Sequence, residues 1–268
     1  MPKSQYSEKG TGANTARITY VGHATVLMEF DGVRLLTDPL LRNRITFLRR
    51  RKYSKIPADV YRNIDAVLLS HLHHDHLDPP SLRSVGADVE LFAPRGSGEY
   101  LSGKGMRSVH EMSEGDVAAV DSLRIRATYA DHSPQRHPFG VRADCLGYVI
   151  EGAYSVYFPG DTDLFPAMDE LAGDLDVALM PVWGWGPTLG SGHLDPRRAA
   201  EALRLLRPRL AIPIHWGVFY PAGLGLLNMD FLTTPPIRFA ELAAEIAPEV
   251  TVRIVEPGHS VDLDDLLG

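Results

Sequence analysis

Apolar residues in this sequence come mostly in short runs that are bounded by turn-forming residues. Thr25–Phe30 and Val33–Thr37 are two such runs, and the Asp31-Gly32 pair between them is a strong β-hairpin signal. The run Ala66–Ser70 is almost wholly apolar, as in a strand that is buried on both faces. The strands predicted in this way are Arg17–Val21, Thr25–Phe30, Val33–Thr37, Ala66–Ser70, Val89–Ala93, Leu123–Ala130, Leu146–Glu151, Ser155–Phe158, Val177–Met180, Leu210–Ile214 and Val250–Val255.

Helical patterns are fewer. Asp195 before Pro196 is typical of a helix start, with an N-cap followed by proline at the first helical position, and predicts a helix over Pro196–Leu206. Because strands outnumber helices and helices recur between groups of strands, the pattern predicts an α+β protein with two packed sheets and helices outside. The other predicted helices are Ile237–Ile246 and the shorter Ser81–Val85, Gly98–Leu101 and Phe165–Leu171.

Composition supports a globular domain. The chain has 268 residues, of which 44% are hydrophobic and 23% charged, and no Pro/Gly/Ser-rich linker divides it. We predict a flexible N-terminal lead-in over residues 1–16 and a single domain over residues 17–268. A cytoplasmic location is expected, because no apolar run approaches the roughly 18 residues of a membrane span and the N-terminus has no signal-peptide core.

The net charge of −7 disfavours general affinity for nucleic acid. One segment, from Arg42 to Lys55, has the opposite character, with seven basic residues and no acidic one. We call it the basic stretch. It indicates either a site for an anionic partner or substrate, or a solvated basic face that is paired with acidic neighbours. The sequence does not indicate an oligomeric state.

The segment Ser70–Asp78 contains four histidines within six residues, with an aspartate among them. Crowded neutral imidazoles gain little unless a cation binds them, and imidazole with carboxylate suits zinc, iron, nickel or manganese. On an extended segment, His71 and His73 point the same way and can bind one ion. Asp75 and His76 follow the bend and can face a second ion. This segment predicts a metal site.

Three more ligand-type residues directly follow predicted strands. They are His132, Asp161 and His215. A hydrolytic zinc site needs about three protein ligands and a water. We therefore predict that residues at several strand ends complete the metal site.

The order His-x-His-x-Asp-His, followed by single His, Asp and His residues, resembles the metallo-β-lactamase superfamily. Shorter motifs are similar to the branch that contains the bacterial ascorbate-phosphate lactonase and N-acyl-phosphatidylethanolamine phospholipase D. The resemblance covers residues 17–261. The shorter motifs are Thr19–Thr25 (TYVGHAT), Leu36–Pro39 (LTDP), Gly160–Thr162 (GDT) and His193–Pro196 (HLDP).

The resemblance implies a four-layer αββα sandwich, with the site at the edge where its two sheets meet. It also implies two divalent metal ions, of which zinc is expected and manganese or iron are the alternatives. In the implied ligand set, the first ion is held by His71, His73 and His132, the second by Asp75, His76 and His215, and both by a bridging Asp161.

Other residues are candidates for roles around the ions. Asp75 is expected to orient the nucleophile, and His193 to contact the substrate or donate a proton to the leaving group. A helix-capping role, or a supporting role behind the metal ligands, is the alternative for His193. Supporting or substrate-binding roles are expected for five residues: His23, Asp38, Arg136, Trp183 and Trp185. Turn-stabilising roles would explain His23 and Asp38 equally well, and packing roles would explain Trp183 and Trp185 equally well.

The sequence thus predicts a hydrolase in which a metal-bound hydroxide is the nucleophile. The basic stretch and Arg136 favour a small, anionic, phosphodiester-type substrate. A lactonase or other acyl hydrolase could use the same centre. A redox di-iron role is disfavoured, because His73 stands where flavin-linked relatives typically carry glutamate. A metal-binding module without catalysis is the alternative of another class, and the intact set of ligand types disfavours it.

Overall fold

The computed structural model describes residues 16–51, 56–135, 140–171, 173, 175–223 and 229–268. Short 3₁₀ helices occupy Ala58–Val60, Pro166–Leu171 and Asp230–Leu232. The helices are α1 (Pro79–Val85), α2 (Gly98–Gly103), α3 (Pro196–Leu206), α4 (Thr234–Ile246) and α5 (Leu263–Leu267). The strands are β1 (Arg17–Gly22), β2 (Thr25–Phe30), β3 (Val33–Thr37), β4 (Arg44–Ile45), β5 (Leu48–Arg50), β6 (Ala66–Leu68), β7 (Glu90–Pro94), β8 (Val109–Met112), β9 (Val117–Val120), β10 (Leu123–Tyr129), β11 (Leu146–Glu151), β12 (Ser155–Phe158), β13 (Val177–Pro181), β14 (Leu210–Ile214), β15 (Phe219–Pro221), β16 (Thr251–Val252) and β17 (His259–Asp262).

Most strands belong to two seven-stranded sheets. The first has the order β17-β1-β2-β3-β6-β7-β8 and the second has the order β16-β14-β13-β12-β11-β10-β9. Strands β3, β6, β7 and β8 are parallel to one another, and so are β12, β13, β14 and β16. The carboxyl ends of neighbouring strands therefore meet at one edge of each sheet. A third, small sheet consists of β15, β5 and β4.

The two large sheets share a core between them. In β2, Val26 and Met28 are buried in the cluster that also contains the second sheet, whereas Leu27 is buried in a separate cluster on the opposite face. This division follows from the alternation of side chains along a strand. Leu82 of α1 and Leu101 of α2 belong to the outer cluster, so these helices cover the first sheet.

Helices α3 and α4 cover the second sheet. Leu203 of α3 and Phe239 of α4 are fully buried in the same cluster as the strands beneath them. Helix α3 begins where the sequence predicts, because the Asp195 side chain accepts hydrogen bonds from the backbone N–H groups of Arg197 and Arg198 at 2.8 and 2.9 Å. The structure is a four-layer αββα sandwich, and the predicted fold class is confirmed.

The unpredicted strands are mostly those at sheet edges. β8, β9, β15 and β17 each lie at the end of a sheet, and their side chains are partly exposed. They lack both the continuous apolar run and the strict alternation that mark buried strands. Two predictions needed correction. The strand predicted over Val250–Val255 is confined to Thr251–Val252, and the helix predicted over Phe165–Leu171 is a 3₁₀ helix.

The chain start is described from Ala16 onwards. Residues 1–15 of the predicted lead-in lie outside the described residues. Ala16, also predicted as lead-in, is instead buried, and its carbonyl accepts a hydrogen bond from the Leu263 N–H at 2.7 Å.

No helix in the described ranges is long and apolar enough to cross a membrane. The cytoplasmic location stays a prediction.

Part of the basic stretch is built into the fold. Arg42 donates two hydrogen bonds to the Asp78 carboxylate, at 2.6 and 2.8 Å. Arg50 is buried, donates to the Leu40 carbonyl at 2.5 Å, and its guanidinium lies 4.8 Å from the centre of the Phe219 ring. Both lysines of the stretch lie outside the described residues. Of the other described arginines of the stretch, Arg44 and Arg49 are exposed and Arg51 is partly buried.

Replacement of Asp78 by alanine is expected to lower the free energy of unfolding by about 2 kcal/mol. The buried carboxylate caps α1 by accepting from the Ser81 N–H at 3.1 Å and also binds Arg42. Asp78→Asn keeps a capping oxygen and should lower the free energy of unfolding by about half as much. Urea unfolding of each variant measures both changes. Arg238→Ala breaks an exposed ion pair with Glu241 and serves as the control, with an expected change under about 0.5 kcal/mol. An Asp78→Ala protein as stable as the wild type would contradict the capping role.

Candidate metal centre

The predicted ligands lie together at the edge where the two sheets meet. His71 follows β6 of the first sheet, while His132, Asp161 and His215 follow β10, β12 and β14 of the second. In each case the polar residue lies just beyond the last hydrogen-bonded position of the strand. The chain brings these residues together only through the packing of the sheets.

Three imidazoles form a first ligand group. His71 Nε2 lies 3.1 Å from His73 Nδ1, which lies 2.9 Å from His132 Nε2. All three nitrogens lie within 4.8 Å of one another. This is the set expected for the first ion.

A second group contains His76, His215 and two carboxylates. His76 Nε2 lies 3.0 Å from His215 Nε2 and 3.0 Å from Asp161 Oδ2, and Asp75 Oδ2 is 3.8 Å from His215 Nε2. Asp161 Oδ1 approaches His215 Nε2 at 3.2 Å. An Asp161 oxygen also lies within 4.8 Å of a ring nitrogen of His132, in the first group. The Asp161 carboxylate thus stands between the two groups, as a bridging ligand would.

Hydrogen bonds on the outer side of the rings determine where the imidazole protons lie. His73 Nε2, His132 Nδ1 and His215 Nδ1 face the main-chain carbonyls of Gln135, Gly192 and Trp183 at 2.8, 2.6 and 2.8 Å. Because a carbonyl oxygen only accepts, the nitrogen that faces it must carry the proton. The inner nitrogens His73 Nδ1, His132 Nε2 and His215 Nε2 are then unprotonated acceptors that converge on the centre.

Asp38 orients two more rings. Its fully buried carboxylate accepts hydrogen bonds from the Ser70 N–H at 2.7 Å, the Ser70 hydroxyl at 2.6 Å and His76 Nδ1 at 2.7 Å. Ser70 Oγ in turn accepts from His71 Nδ1 at 2.9 Å. Asp38 therefore directs His76 Nε2 to the centre, and it directs His71 Nε2 there through Ser70. Hydrogen bonds of this kind orient ligand rings in metal sites, and such a role for Asp38 stays a prediction.

Burial keeps three of the imidazoles neutral. It lowers the pKa of His71 well below the ordinary value, that of His132 to about 4 and that of His215 to about 3. Neighbouring imidazoles lower the pKa of His71 and His215 further. These rings are available as neutral ligands across the physiological pH range.

His76 differs because it lies between two carboxylates. Burial alone would lower its pKa, but Asp161 and Asp38 outweigh burial and raise the pKa well above the ordinary value. For Asp161, burial would raise the pKa, but the neighbouring His215 and His76 rings and a hydrogen bond from His193 hold the pKa well below the ordinary range. Without a cation in place, His76 carries the proton and Asp161 the negative charge.

The donor set fits divalent metal ions. Inward-facing ring nitrogens that approach one another at about 3 Å have no proton to share, so only a cation makes their convergence favourable. The carboxylates of Asp75 and Asp161 supply the negative charge that such cations require. Imidazole and carboxylate ligands suit zinc, manganese or iron.

His23 and His193 flank the centre. His23 is fully buried, lies 3.1 Å from Asp75 Oδ2 through Nε2, and its ring lies 3.7 Å from that of His215. His193 Nε2 lies 3.3 Å from Asp161 Oδ2, and its side chain is 24% exposed. Burial lowers the pKa of His193, but Asp161 outweighs this and raises it to about 9. His193 does not cap α3, since Asp195 does so.

The two tryptophans have different positions. Trp183 contributes its main-chain carbonyl to His215, while its side-chain N–H donates to the Gly186 carbonyl at 2.9 Å. Trp185 packs edge-on against Phe47, with the ring centres 5.2 Å apart. Arg136, the remaining candidate, lies outside the described residues.

Sequence reasoning missed the supporting residues Ser70 and Gly160. Gly160 has a φ of +64°, and a Cβ there would lie 2.5 Å from the Ser70 Cβ, so only glycine lets the chain turn into Asp161 so close to Ser70. The glycine directly before Asp161 was the available signal. The carbonyls of Gln135, Gly192 and Trp183 carry no sequence signal, since every residue has one.

Comparison with known proteins identifies the family of this chain. Residues 33–216 match the family model described as a beta-lactamase superfamily domain. The chain belongs to the metallo-β-lactamase superfamily and, within it, to the metal-dependent hydrolases.

Relatives match along most of the chain. A UPF0173 metal-dependent hydrolase of Methanopyrus kandleri is 34% identical over 253 residues, covering 92% of this chain and 99% of that protein. The N-acyl-phosphatidylethanolamine-hydrolyzing phospholipase D 1 of Caenorhabditis elegans is 30% identical over 287 residues, covering 97% and 78%. The structure of a metallo hydrolase from Ignicoccus hospitalis is similar with a TM-score of 0.70 and 27% identity, covering 93% and 98%.

Zinc binding is expected to release about one proton from His76. The raised pKa means that this ring is protonated in the metal-free protein, and a metal ion at Nε2 requires the lone pair. His71, His132 and His215 have lowered pKa values and release none. Titration calorimetry at pH 6 in buffers of different ionisation enthalpy measures the number of protons. At this pH a zinc-bound water, with a pKa of about 7, is still largely protonated.

Three variants make this measurement specific. His193→Gln removes the other imidazole whose pKa Asp161 raises, and should leave most of the release in place. Asp38→Asn removes a carboxylate that raises the pKa of His76, and should reduce the release, whereas Asp176→Asn, at a remote hydrogen bond with the Ser155 N–H, should not. Zinc binding without any proton release would contradict the assignment.

Proposed function

We propose that the protein is a dinuclear metal-dependent hydrolase whose substrate is a phosphodiester. The observation that carries the proposal is the Asp161 carboxylate, which lies between the group of His71, His73 and His132 and the group of Asp75, His76 and His215. Two divalent cations held by these groups would supply Lewis acidity and a hydroxide nucleophile at neutral pH.

The residues of the chain have separate roles in this proposal. Asp75 accepts a hydrogen bond from His23 at Oδ2 and orients the attacking oxygen. His193 holds a proton at Nε2 on the partly exposed side of the centre, where it can donate to a leaving alkoxide. Metal binding at Asp161 would weaken the negative charge that raises the pKa of His193. The pKa of His193 would then lie closer to neutral pH.

Two observations support a phosphodiester as the substrate. The phospholipase D relative, which is 30% identical to this chain, hydrolyses a phosphodiester according to its name. The protonated His193 beside the two groups would favour an anionic substrate.

An acyl hydrolase, such as a lactonase, is the second candidate. It is favoured by the fact that Arg42 and Arg50 of the basic stretch are bound to Asp78 and to the Leu40 carbonyl. Fewer arginines are then available for a phosphate than the sequence alone suggested. The same centre could polarise a carbonyl oxygen.

Turnover of an aryl phosphodiester, measured beside a panel of lactones, distinguishes the two candidates. Zinc- or manganese-loaded wild-type protein is expected to hydrolyse bis(p-nitrophenyl) phosphate, and His71→Ala to fall to the rate of the metal-free protein, because one ligand of the first group is lost. His110→Ala, an exposed histidine paired with Glu90, is the matched control and should keep the wild-type rate. Lactone hydrolysis alone would overturn the phosphodiester proposal, and two bound metals without any turnover would favour a non-catalytic module.

His193→Gln is expected to lower kcat by roughly 10²- to 10⁴-fold on a diester with an alkoxide leaving group. The loss should be much smaller with p-nitrophenolate, which leaves without a proton. Bound metal, measured by elemental analysis, should stay at the wild-type level. Equal losses on both substrates would mean that His193 positions Asp161 and does not donate the proton.

A further inference from the structure

The connection between β13 and α3, which carries His193, is joined twice to the segment that follows β12. His193 Nε2 lies 3.3 Å from Asp161 Oδ2. Five residues later, in the first turn of α3, Arg198 forms an ion pair with Asp163. Its Nη1 donates to Asp163 Oδ2 at 2.8 Å, and its Nη2 pairs with Oδ1. The same two segments are therefore held together at the metal centre and at a second point two residues further along.

Asp163 connects this ion pair to two of the expected ligands. Its N–H donates to the Asp131 carbonyl at 2.9 Å. The Asp131 N–H donates in turn to the hydroxyl of Thr162, a fully buried residue, at 2.9 Å. Asp131 directly precedes His132, and Thr162 directly follows Asp161. The two ligand loops are therefore hydrogen-bonded to each other beside Asp163.

Arg198 is fixed to the segment that carries His193. Its N–H donates to the Asp195 carboxylate at 2.9 Å, and this carboxylate caps α3. His193 lies only two residues before the cap. Because so short a stretch of chain separates Arg198 from His193, a movement of the helix start would also move the His193 ring.

Other polar contacts of His193 do not fix its ring relative to the centre. Its Nδ1 lies 3.0 Å from the Ser191 carbonyl and 3.3 Å from the Gly190 carbonyl, but both belong to the same connection and move with it. Contacts with the ligand loops lie on either side of His193 in the chain, at the Gly192 carbonyl and at Arg198. Since the Gly192 contact is made by the main chain, Arg198 is the contact that a substitution can remove.

We propose that Arg198 is a positioning residue for His193. By binding Asp163, it holds the start of α3 against the ligand loops and so keeps His193 Nε2 where it can protonate the leaving group. A bidentate contact between guanidinium and carboxylate fixes direction as well as distance, and the Asp163 side chain is only 15% exposed. The proposal rests on the proposed function for the role of His193 as proton donor.

The test compares two leaving groups in metal-loaded Arg198→Ala. Ethyl 4-nitrobenzyl phosphate loses an alkoxide, which needs a proton, whereas bis(p-nitrophenyl) phosphate loses a phenolate, which does not. A small displacement of a catalytic group is costly, so kcat on the alkoxide substrate should fall roughly tenfold. On the aryl diester, kcat should stay close to the wild-type value, as should the bound metal. If the protein hydrolyses only acyl substrates, ethyl acetate and p-nitrophenyl acetate replace the two diesters.

Three further variants make the result specific. Arg198→Lys keeps a cation opposite Asp163 and should recover most of the lost rate. Asp163→Asn removes the other charge of the pair and should reproduce the selective loss. Arg197→Ala, which breaks an exposed ion pair with Glu201 at 3.1 Å on the same helix, is the matched control and should behave as the wild type.

Hydrogen exchange tests the same contact without turnover. If Arg198 holds the connection in place, the backbone amides of residues 187–195 should exchange several times faster in Arg198→Ala than in Arg197→Ala. The amides of β12 and β14 should exchange at the wild-type rate in both variants. Unchanged exchange in the connection would overturn the proposal, whatever the substrate class.

The outcomes separate this proposal from the proposed function. A selective loss in His193→Gln together with wild-type kinetics in Arg198→Ala would overturn the positioning role and leave the proton donor intact. Equal losses of Arg198→Ala on both substrates, or an Arg198→Lys protein that is no better, would also overturn it, because a merely structural contact has no preference for a leaving group. Faster exchange in Arg198→Ala without any selective loss in His193→Gln would support the contact and refute the proton donor.

Discussion

The structure depends on one constraint, which is that several buried imidazoles must present unprotonated nitrogens to the same small volume. Hydrogen bonds from the outer ring nitrogens of His73, His132 and His215 to main-chain carbonyls satisfy this constraint, and the hydrogen bond from His76 to Asp38 fixes the orientation of the His76 ring. Without these acceptors, each ring could rotate or exchange its proton between nitrogens, and the convergence would be lost. The fold can be understood as the scaffold that holds these acceptors in place.

Backbone strain is concentrated at the same location. His23, Asp38 and His215 all have positive φ angles, of 61°, 32° and 64°. Such conformations cost about 1–3 kcal/mol each in residues other than glycine. The His215 N–H donates to the His23 carbonyl at 2.9 Å, so two of the strained segments support each other. The large core between the sheets can offset this cost, and each strained residue directs a side chain into the centre.

Two segments outside the large sheets supply further supporting contacts: the connection after β13 and the basic stretch. The connection after β13 places the Trp183 carbonyl beside His215 and the His193 side chain beside Asp161, and its Trp185 ring packs against Phe47. One segment therefore contacts both the histidine and aspartate cluster and the small third sheet. Arg42 and Arg50 of the basic stretch hold the start of α1 and the small third sheet, which leaves its other arginines on the surface.

The sequence by itself determined the elements with strong local signals. These are the buried strands, the helix that Asp195 caps, and the ligand types that follow strands, because continuous apolar runs and a histidine cluster are readable within a few residues. The superfamily and its αββα architecture followed from the order of the ligand motifs, and both are confirmed. Edge strands such as β15 and β17 were missed, since half-exposed side chains give no distinct pattern. Only the tertiary structure decided which nitrogen of each histidine faces the centre, which arginines of the basic stretch are bound, and that Phe47 meets Trp185. These features depend on main-chain carbonyls and on contacts between residues far apart in the chain, and neither leaves a local trace in the order of amino acids.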